Sequence, residues 1–229
     1  QHGVRHSCAT GRAAALDDST AVQLLGVAAD QGHAQAQYNL GFMYKNGQGV
    51  AQDYSTAMEW FRMAADQEYA QAQFNLGVMY HEGQGVAQDY SAAMKWYRMA
   101  ADQGHANAQC NLGVMYENGQ GVAQDYSAAM KWYRMAADQG DADAHFGLGI
   151  TYYEGKGVSQ NTSQALRWLH KAQAQGFDTA KEVIELIMQE MRNDRASQQT
   201  NNSSMPPILT CPVPMGTRVE LHGLKAKPQ

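Results

Sequence analysis

The string "NLGVMYENGQGVAQDYSAAMKWYRMAADQG" occupies Asn111–Gly140, and nearly the same words fill Asn75–Gly104. The match belongs to a fixed 36-residue spacing: Gly41 recurs as Gly77, Gly113 and Gly149, Val50 as Val86, Val122 and Val158, and Trp60 as Trp96, Trp132 and Trp168. A period of roughly 20 to 50 residues marks a stack of repeats, either a solenoid or a propeller. Four units follow one another without a gap, at 34–69, 70–105, 106–141 and 142–177.

The pattern inside one unit decides between the two. Ala36, Leu40 and Tyr44 fall four apart, on one side of a helix. In the second half, Ala57, Trp60, Phe61, Ala64 and Ala65 make the apolar stripe of another. Between them, Gly47 suits the left-handed residue that ends a helix. Asp53, Asp89 and Asp125 suit the N-cap of the next, a carboxylate accepting from free backbone N–H groups. The second helix closes at Gly104, Gly140 and Gly176, with Glu68 at that place in the first unit. No part of the unit alternates with period two, so strands and propeller blades are excluded. Each unit is a helix hairpin, and the expected fold is all-α: an α-α superhelix, a right-handed solenoid of 36-residue hairpins.

Gly41 and its copies sit in mid-helix, where glycine costs about 1 kcal/mol against alanine. The compensating reason is close approach of the Trp-bearing second helix. Gly49 and its copies need positive φ or close backbone contact. The four tryptophans, with Met63, Met99 and Met135, read as core between helices and not as a cofactor box.

The pattern A-x-x-x-[YF]-N-L-G-x-M-Y-x-x-G-x-G-V-x-x-D-x-x-x-A-x-x-W-[FY]-R-x-A-A-x-Q resembles the Sel-1-like repeat family, relatives of the tetratricopeptides. Departures are few: Cys110 stands for the aromatic in the third unit, and the fourth has Gly147 for Asn, Asn161 for Asp and His170 for Arg. The resemblance implies an adaptor or scaffold, as in endoplasmic-reticulum quality control, cell-wall synthase activation or bacteria–host contact. A cysteine-rich branch staples each hairpin with a disulfide. This chain lacks those cysteines, so that branch's properties do not carry over.

Outside the four units, Asp17–Gly32 matches a second helix with Leu24 in the Trp place, and only Gly11 matches the loop before it. Residues 1–33 therefore read as a degenerate N-terminal partial repeat. Residues 178–194, with Val183, Ile184, Ile187, Met188 and Met191, read as the capping helix that covers the last apolar face of a solenoid. Residues 195–229 turn to Ser, Gln, Asn and Thr and then Pro206-Pro207. They read as a linker and the truncated start of a further segment, with a short strand around Val219 and Leu221.

Nothing in the chain reads as catalytic, as a cofactor site or as a metal site. Ser91 and Ser127 precede Lys95 and Lys131 by four residues, not the three of Ser-x-x-Lys enzymes, and the partner motifs are missing. His2, His6 and Cys8 lack the glutamate of a zinc helix and a fourth ligand. The net charge of −5 argues against nucleic-acid binding, which needs a basic surface. No stretch is long and apolar enough for direct membrane insertion. Three scattered cysteines lean toward a reducing compartment, while Asn161-Thr162-Ser163 fits a glycosylation triplet; localisation stays open.

The expected partner is a protein or peptide. Units 70–105 and 106–141 differ at only five places, and four of them fall on the first helix or its end. On a helical wheel the side opposite Ala36, Leu40 and Tyr44 is apolar or aromatic in its middle and polar at its edges. In the resembled family first helices line the concave surface. The expected binding residues are Gln35, Tyr38, Asn39, Phe42, Lys45, Phe74, Asn75, Val78, His81, Asn111, Glu117, Phe146 and Ile150. The expected function is an interaction scaffold. The alternatives are glycan or β-lactam binding or hydrolysis, by analogy with the cysteine-rich branch, or a passive spacer. For the aromatics, packing between successive first helices is the competing role; for the Asn row it is inter-helix hydrogen bonding.

Overall fold

The computed structural model describes the backbone of residues 5–203 and the side chains of residues 18–197. The described residues form ten helices and no strand. After α1 (Arg5–Asp30) come four hairpins: α2 (Ala34–Asn46) with α3 (Tyr54–Ala65), α4 (Ala70–Glu82) with α5 (Tyr90–Asp102), α6 (Ala106–Asn118) with α7 (Tyr126–Asp138), and α8 (Ala142–Glu154) with α9 (Thr162–Ala174). Last is α10 (Asp178–Ser203). By contacts the chain divides into two compact units, Gln1–Ile187 and Met188–Gln229.

Local chemistry explains the hairpin. Gly47, Gly83, Gly119 and Gly155 end the first helices with φ between 66° and 72°. The Asp53 carboxylate accepts from the Ser55 and Thr56 amides, Asp89 from Ala92, and Asp125 from Ala128. Asn161 does the same for Gln164. The loop between is held by Gln52, Gln88, Gln124 and Gln160, whose side-chain amides donate to the carbonyls of Lys45, His81, Glu117 and Tyr153 at 2.6–2.8 Å.

The glycines explain the packing. A Cβ on Gly77 or Gly113 would stand 2.5 Å from the ring of Tyr97 or Tyr133, and one on Gly41 2.8 Å from Phe61. The close approach is to the residue after each Trp. The second loop glycines have both properties that glycine permits: Gly85 has φ 71°, and a Cβ on it would meet Tyr54 at 2.8 Å. Gly85, Gly121 and Gly157 thus seat their loops on the start of the preceding repeat's second helix, and Gly49 seats its loop on Asp18 within α1.

The core is built across repeats. Ala57, Phe61, Ala64 and Ala65 of α3 bury against Ala72, Leu76 and Met79 of α4, and the grouping recurs for α5 with α6 and α7 with α8. Each Trp is half-buried and reaches back, Trp96 onto the α3–α4 cluster and Trp132 onto the α5–α6 cluster.

Three expectations need correction. Met63, Met99 and Met135 are 47, 43 and 46 % exposed, so they are not core. At about 100° per residue, a position two past Phe61, Tyr97 or Tyr133 faces away from the buried stripe. At the N-terminus, α1 runs unbroken from Arg5 through Gly11 and Asp17, so no loop precedes a helix start at Asp17. Glycine in a helix lowers stability but does not by itself stop it. At the C-terminus, Ala180, Ile184 and Ile187 cap Leu169 and Ala172, but Met188 and Met191 are exposed. The helix continues past Asp194 to Ser203, into the stretch read as linker; its first prolines are Pro206 and Pro207. His2 and the stretch around Val219 and Leu221 lie outside the described residues, as do the side chains of His6 and Cys8.

Candidate partner-binding face

The expected binding residues all lie on α2, α4, α6 and α8, but in different surroundings. Tyr38 is half-buried, its ring 5.8 Å from Phe61 and 5.3 Å from Tyr69. Burial first, then Tyr69, raises the Tyr38 hydroxyl pKa, with the Asn75 side chain as an opposing hydrogen-bond partner. The Tyr69 hydroxyl donates to Gln35 Oε1 at 2.7 Å, and Gln35 Nε2 reaches Asn39 Oδ1 at 3.4 Å. Phe42 is 41 % exposed. Lys45 is half-buried; burial lowers its pKa, against the pull of Glu82. These first-repeat residues line none of the described cavities.

Further along, the face becomes concave at the scale of single side chains. Val78, His81 and Asn111 meet Glu82, Tyr97 and Val114 around a cavity of about 200 Å³. Phe74 and Asn111 share another, about 310 Å³, with Cys110, Asp141 and Asp143. Glu117, Phe146 and Ile150 line a third, about 340 Å³, with Tyr133 and Gly147. Val114, 37 % exposed, belongs to all three.

Several polar residues of the face are already engaged. The Asn75 amide donates to Gln71 O at 2.9 Å, and Asn111 hydrogen-bonds the Tyr97 hydroxyl. The Tyr133 hydroxyl donates to Glu117 Oε2 at 2.6 Å. Burial dominates the upward shift of both tyrosines. Burial also pushes the Cys110 thiol up, with Asp141 and Asp143 adding to it, so the sulfur is a poor nucleophile. Among the described residues no group of three or more His, Cys, Asp or Glu could hold a metal ion.

A second feature lies between α7 and the following hairpin. A cavity of about 710 Å³ is lined by Met130, Lys131, Arg134 and Met135 of α7 with Tyr152 and Val158. Arg134 donates to the Tyr152 hydroxyl at 2.8 Å there, and Arg62 to Tyr80 at 2.9 Å in the first repeat. Exposed Met135 makes this cavity a competitor of the first-helix face.

These helices, caps and loop glycines coincide with a known repeat. The Sel1 repeat model matches residues 8–33, 34–69, 70–105, 106–141 and 142–177. The chain belongs to the Sel1 repeat family.

Among solved structures of Sel1 proteins, it is 43 % identical to c5321, a protective antigen of uropathogenic Escherichia coli strains displaying an SLR fold. The TM-score is 0.66, over 68 % of this chain and 33 % of that one. It is 36 % identical to a Sel1 repeat protein from Oxalobacter formigenes, with TM-score 0.69, over 72 % of this chain and 66 % of that one. The chain thus spans a third of the first relative and just under two thirds of the second. No curated protein matches it. Sel1-repeat proteins are in general non-catalytic protein-interaction scaffolds. No helix among the described residues is long and apolar enough to cross a membrane.

Sequence reasoning missed several residues here. Cys110, Val114, Asp141 and Asp143 line the cavities but were not among the expected contacts. Two of them, Cys110 and Asp141, are among the five differences between units 70–105 and 106–141, which was the signal available. Val114 is the counterpart of Val78, an expected contact, so the repeat spacing was the signal for it.

Proposed function

We propose that this Sel1 chain is an interaction scaffold that holds a peptide segment of a protein partner along the exposed face of the first helices α2, α4, α6 and α8. The observation that carries this is the row of three cavities meeting at Val114, each lined by both apolar and polar side chains. Interface energy concentrates in a few anchors seated in such pockets. The family's general role as an interaction scaffold supports the same reading.

The test uses the most exposed apolar residues of the first-helix face, because Tyr38 and Phe74 also pack against Phe61 and Tyr97. Phe42→Ser with Val114→Ser should reduce capture of partners from source-cell lysate while the far-UV spectrum stays helical. Met63, Met99 and Met135, changed together to Gln, should leave capture unchanged. If the methionine variant loses the captured proteins and the Phe42/Val114 variant keeps them, partners bind the second-helix side. If neither variant changes capture, the repeats act as a spacer.

A further inference from the structure

Along the first-helix face, three of the expected aromatics, Tyr38, Phe74 and Phe146, each lie against a ring that precedes the next helix. Tyr38 meets Tyr69 at 5.3 Å, Phe74 stacks on His105 at 4.6 Å, and Phe146 meets Phe177 at 4.8 Å. The corresponding pair in the third repeat is Cys110 and Asp141, with no ring at either position. The row is interrupted there, and the cavities of about 310 and 340 Å³ open at the interruption, sharing Cys110, Val114 and Asp143.

The differences between the two near-identical repeats are concentrated at this place. Asn107, Cys110, Glu117, Asn118 and Asp141 are the five residues by which unit 106–141 departs from unit 70–105, and every one lines one of these two cavities. Gly147, where the other three units have Asn, opens the second cavity over the Tyr133 ring. Removing rings from a packed row destabilises it, and among the described residues no side chain refills the space.

Charge adds a chemical preference. Glu117, Asp141 and Asp143 line the two cavities, and no Lys, Arg or His does. Lys156 feels Glu117 but is held by Glu154 at 2.7 Å. Burial and then Asp141 raise the Asp143 pKa, as expected for carboxylates crowded without a counter-ion.

We propose that the gap between α6 and α8 is a docking site for a cationic peptide segment of a protein partner. One aromatic or large aliphatic side chain sits where Cys110 and Asp141 leave room, and Lys or Arg neighbours face Glu117 and Asp143. This deepens the scaffold reading and rests on it. Burying a ring supplies the apolar contact, and a partner cation relieves the uncompensated carboxylates.

The test is an amide NMR titration of the full chain with two short synthetic peptides. One carries a phenylalanine between two arginines, the other the same phenylalanine between two glutamates. The control variant, Cys110→Phe with Asp141→His, restores the pair that repeat 70–105 already folds with. The expected result is binding of the arginine peptide at least about tenfold tighter than the glutamate peptide. Shifts should centre on Cys110, Val114 and Asp143, binding should weaken with added salt, and it should be lost in the double variant. Equal binding of both peptides, unchanged binding by the folded double variant, or no binding of the arginine peptide would overturn the proposal. None of these results touches the wider scaffold reading, which the Phe42/Val114 capture experiment tests separately.

Discussion

At the residue scale, two positions where one repeat departs from the others are informative. Glu68 takes φ 61° where Gly32, Gly104, Gly140 and Gly176 have 85–88°. A left-handed conformation costs a side-chain-bearing residue roughly 1–2 kcal/mol, partly offset by glycine's greater entropy loss, roughly 0.5–1 kcal/mol. Glu68→Gly should therefore raise stability by roughly 0.5–1 kcal/mol, measured by urea unfolding; a loss would mean that the Glu68 side chain contributes more than its backbone costs. The second position belongs to a ladder. Gln67 donates to Gln37, Gln103 to Gln73 and Gln139 to Gln109, each at 2.8 Å, and each acceptor in turn donates to a carbonyl of the preceding helix.

In the fourth repeat His145 replaces that Gln, 4 % exposed, with Gln175 Nε2 3.0 Å from its Nδ1. Burial and then Lys171 lower the His145 pKa, against the Ala137 carbonyl, Asp141 and Asp138. The folded state thus binds this proton less readily than the unfolded one. Stability should be full above the unfolded histidine value, about 6.5, and fall as pH drops through the lower folded value. His145→Gln should flatten that part of the stability–pH curve, read as melting temperature against pH. Parallel curves for parent and variant would show that His145 does not carry this dependence.

At the element scale, the hairpin depends on its glycines and caps. Gly113→Ala gains about 1 kcal/mol of helix propensity. It also places a methyl 2.5 Å from a Tyr133 ring that is 2 % exposed. Overpacking a rigid core costs typically ~1–3 kcal/mol, so the net effect should be destabilising, visible as a lower urea midpoint. Asp125→Ala removes the acceptor for the Ala128 amide, 3.0 Å away, and should cost about 1 kcal/mol. The two sites lie in one hairpin, so a double variant tests whether the costs add. If Gly113→Ala is neutral, α6 and α7 move apart more easily than their close approach implies.

At the scale of the whole molecule, stability is expected to be a sum over repeats and their interfaces. Ala72, Leu76 and Met79, which bury against α3, have the counterparts Ala108, Leu112 and Met115 on α6. Deleting residues 70–105 should therefore let α6 take the place of α4 and leave a cooperatively folded chain. Its unfolding enthalpy should be smaller by roughly 25 kcal/mol, from about 0.7 kcal/mol per residue. A non-cooperative melt in calorimetry would show that the second repeat is not interchangeable with the third. Read at this scale, the sequence by itself determined the hairpin, its boundaries and its stacking. Those follow from local rules, namely apolar spacing, an aspartate cap and a left-handed glycine, repeated in register. It also marked the face that varies, through the differences between two near-copies. Only the tertiary structure decided which apolar residues that face leaves open, and that Met63, Met99 and Met135 point outward. It alone brought Cys110, Val114, Asp141 and Asp143 together around one gap. The reason is physical: a helix period says which residues share a side, but neighbours from adjacent repeats decide whether that side is filled.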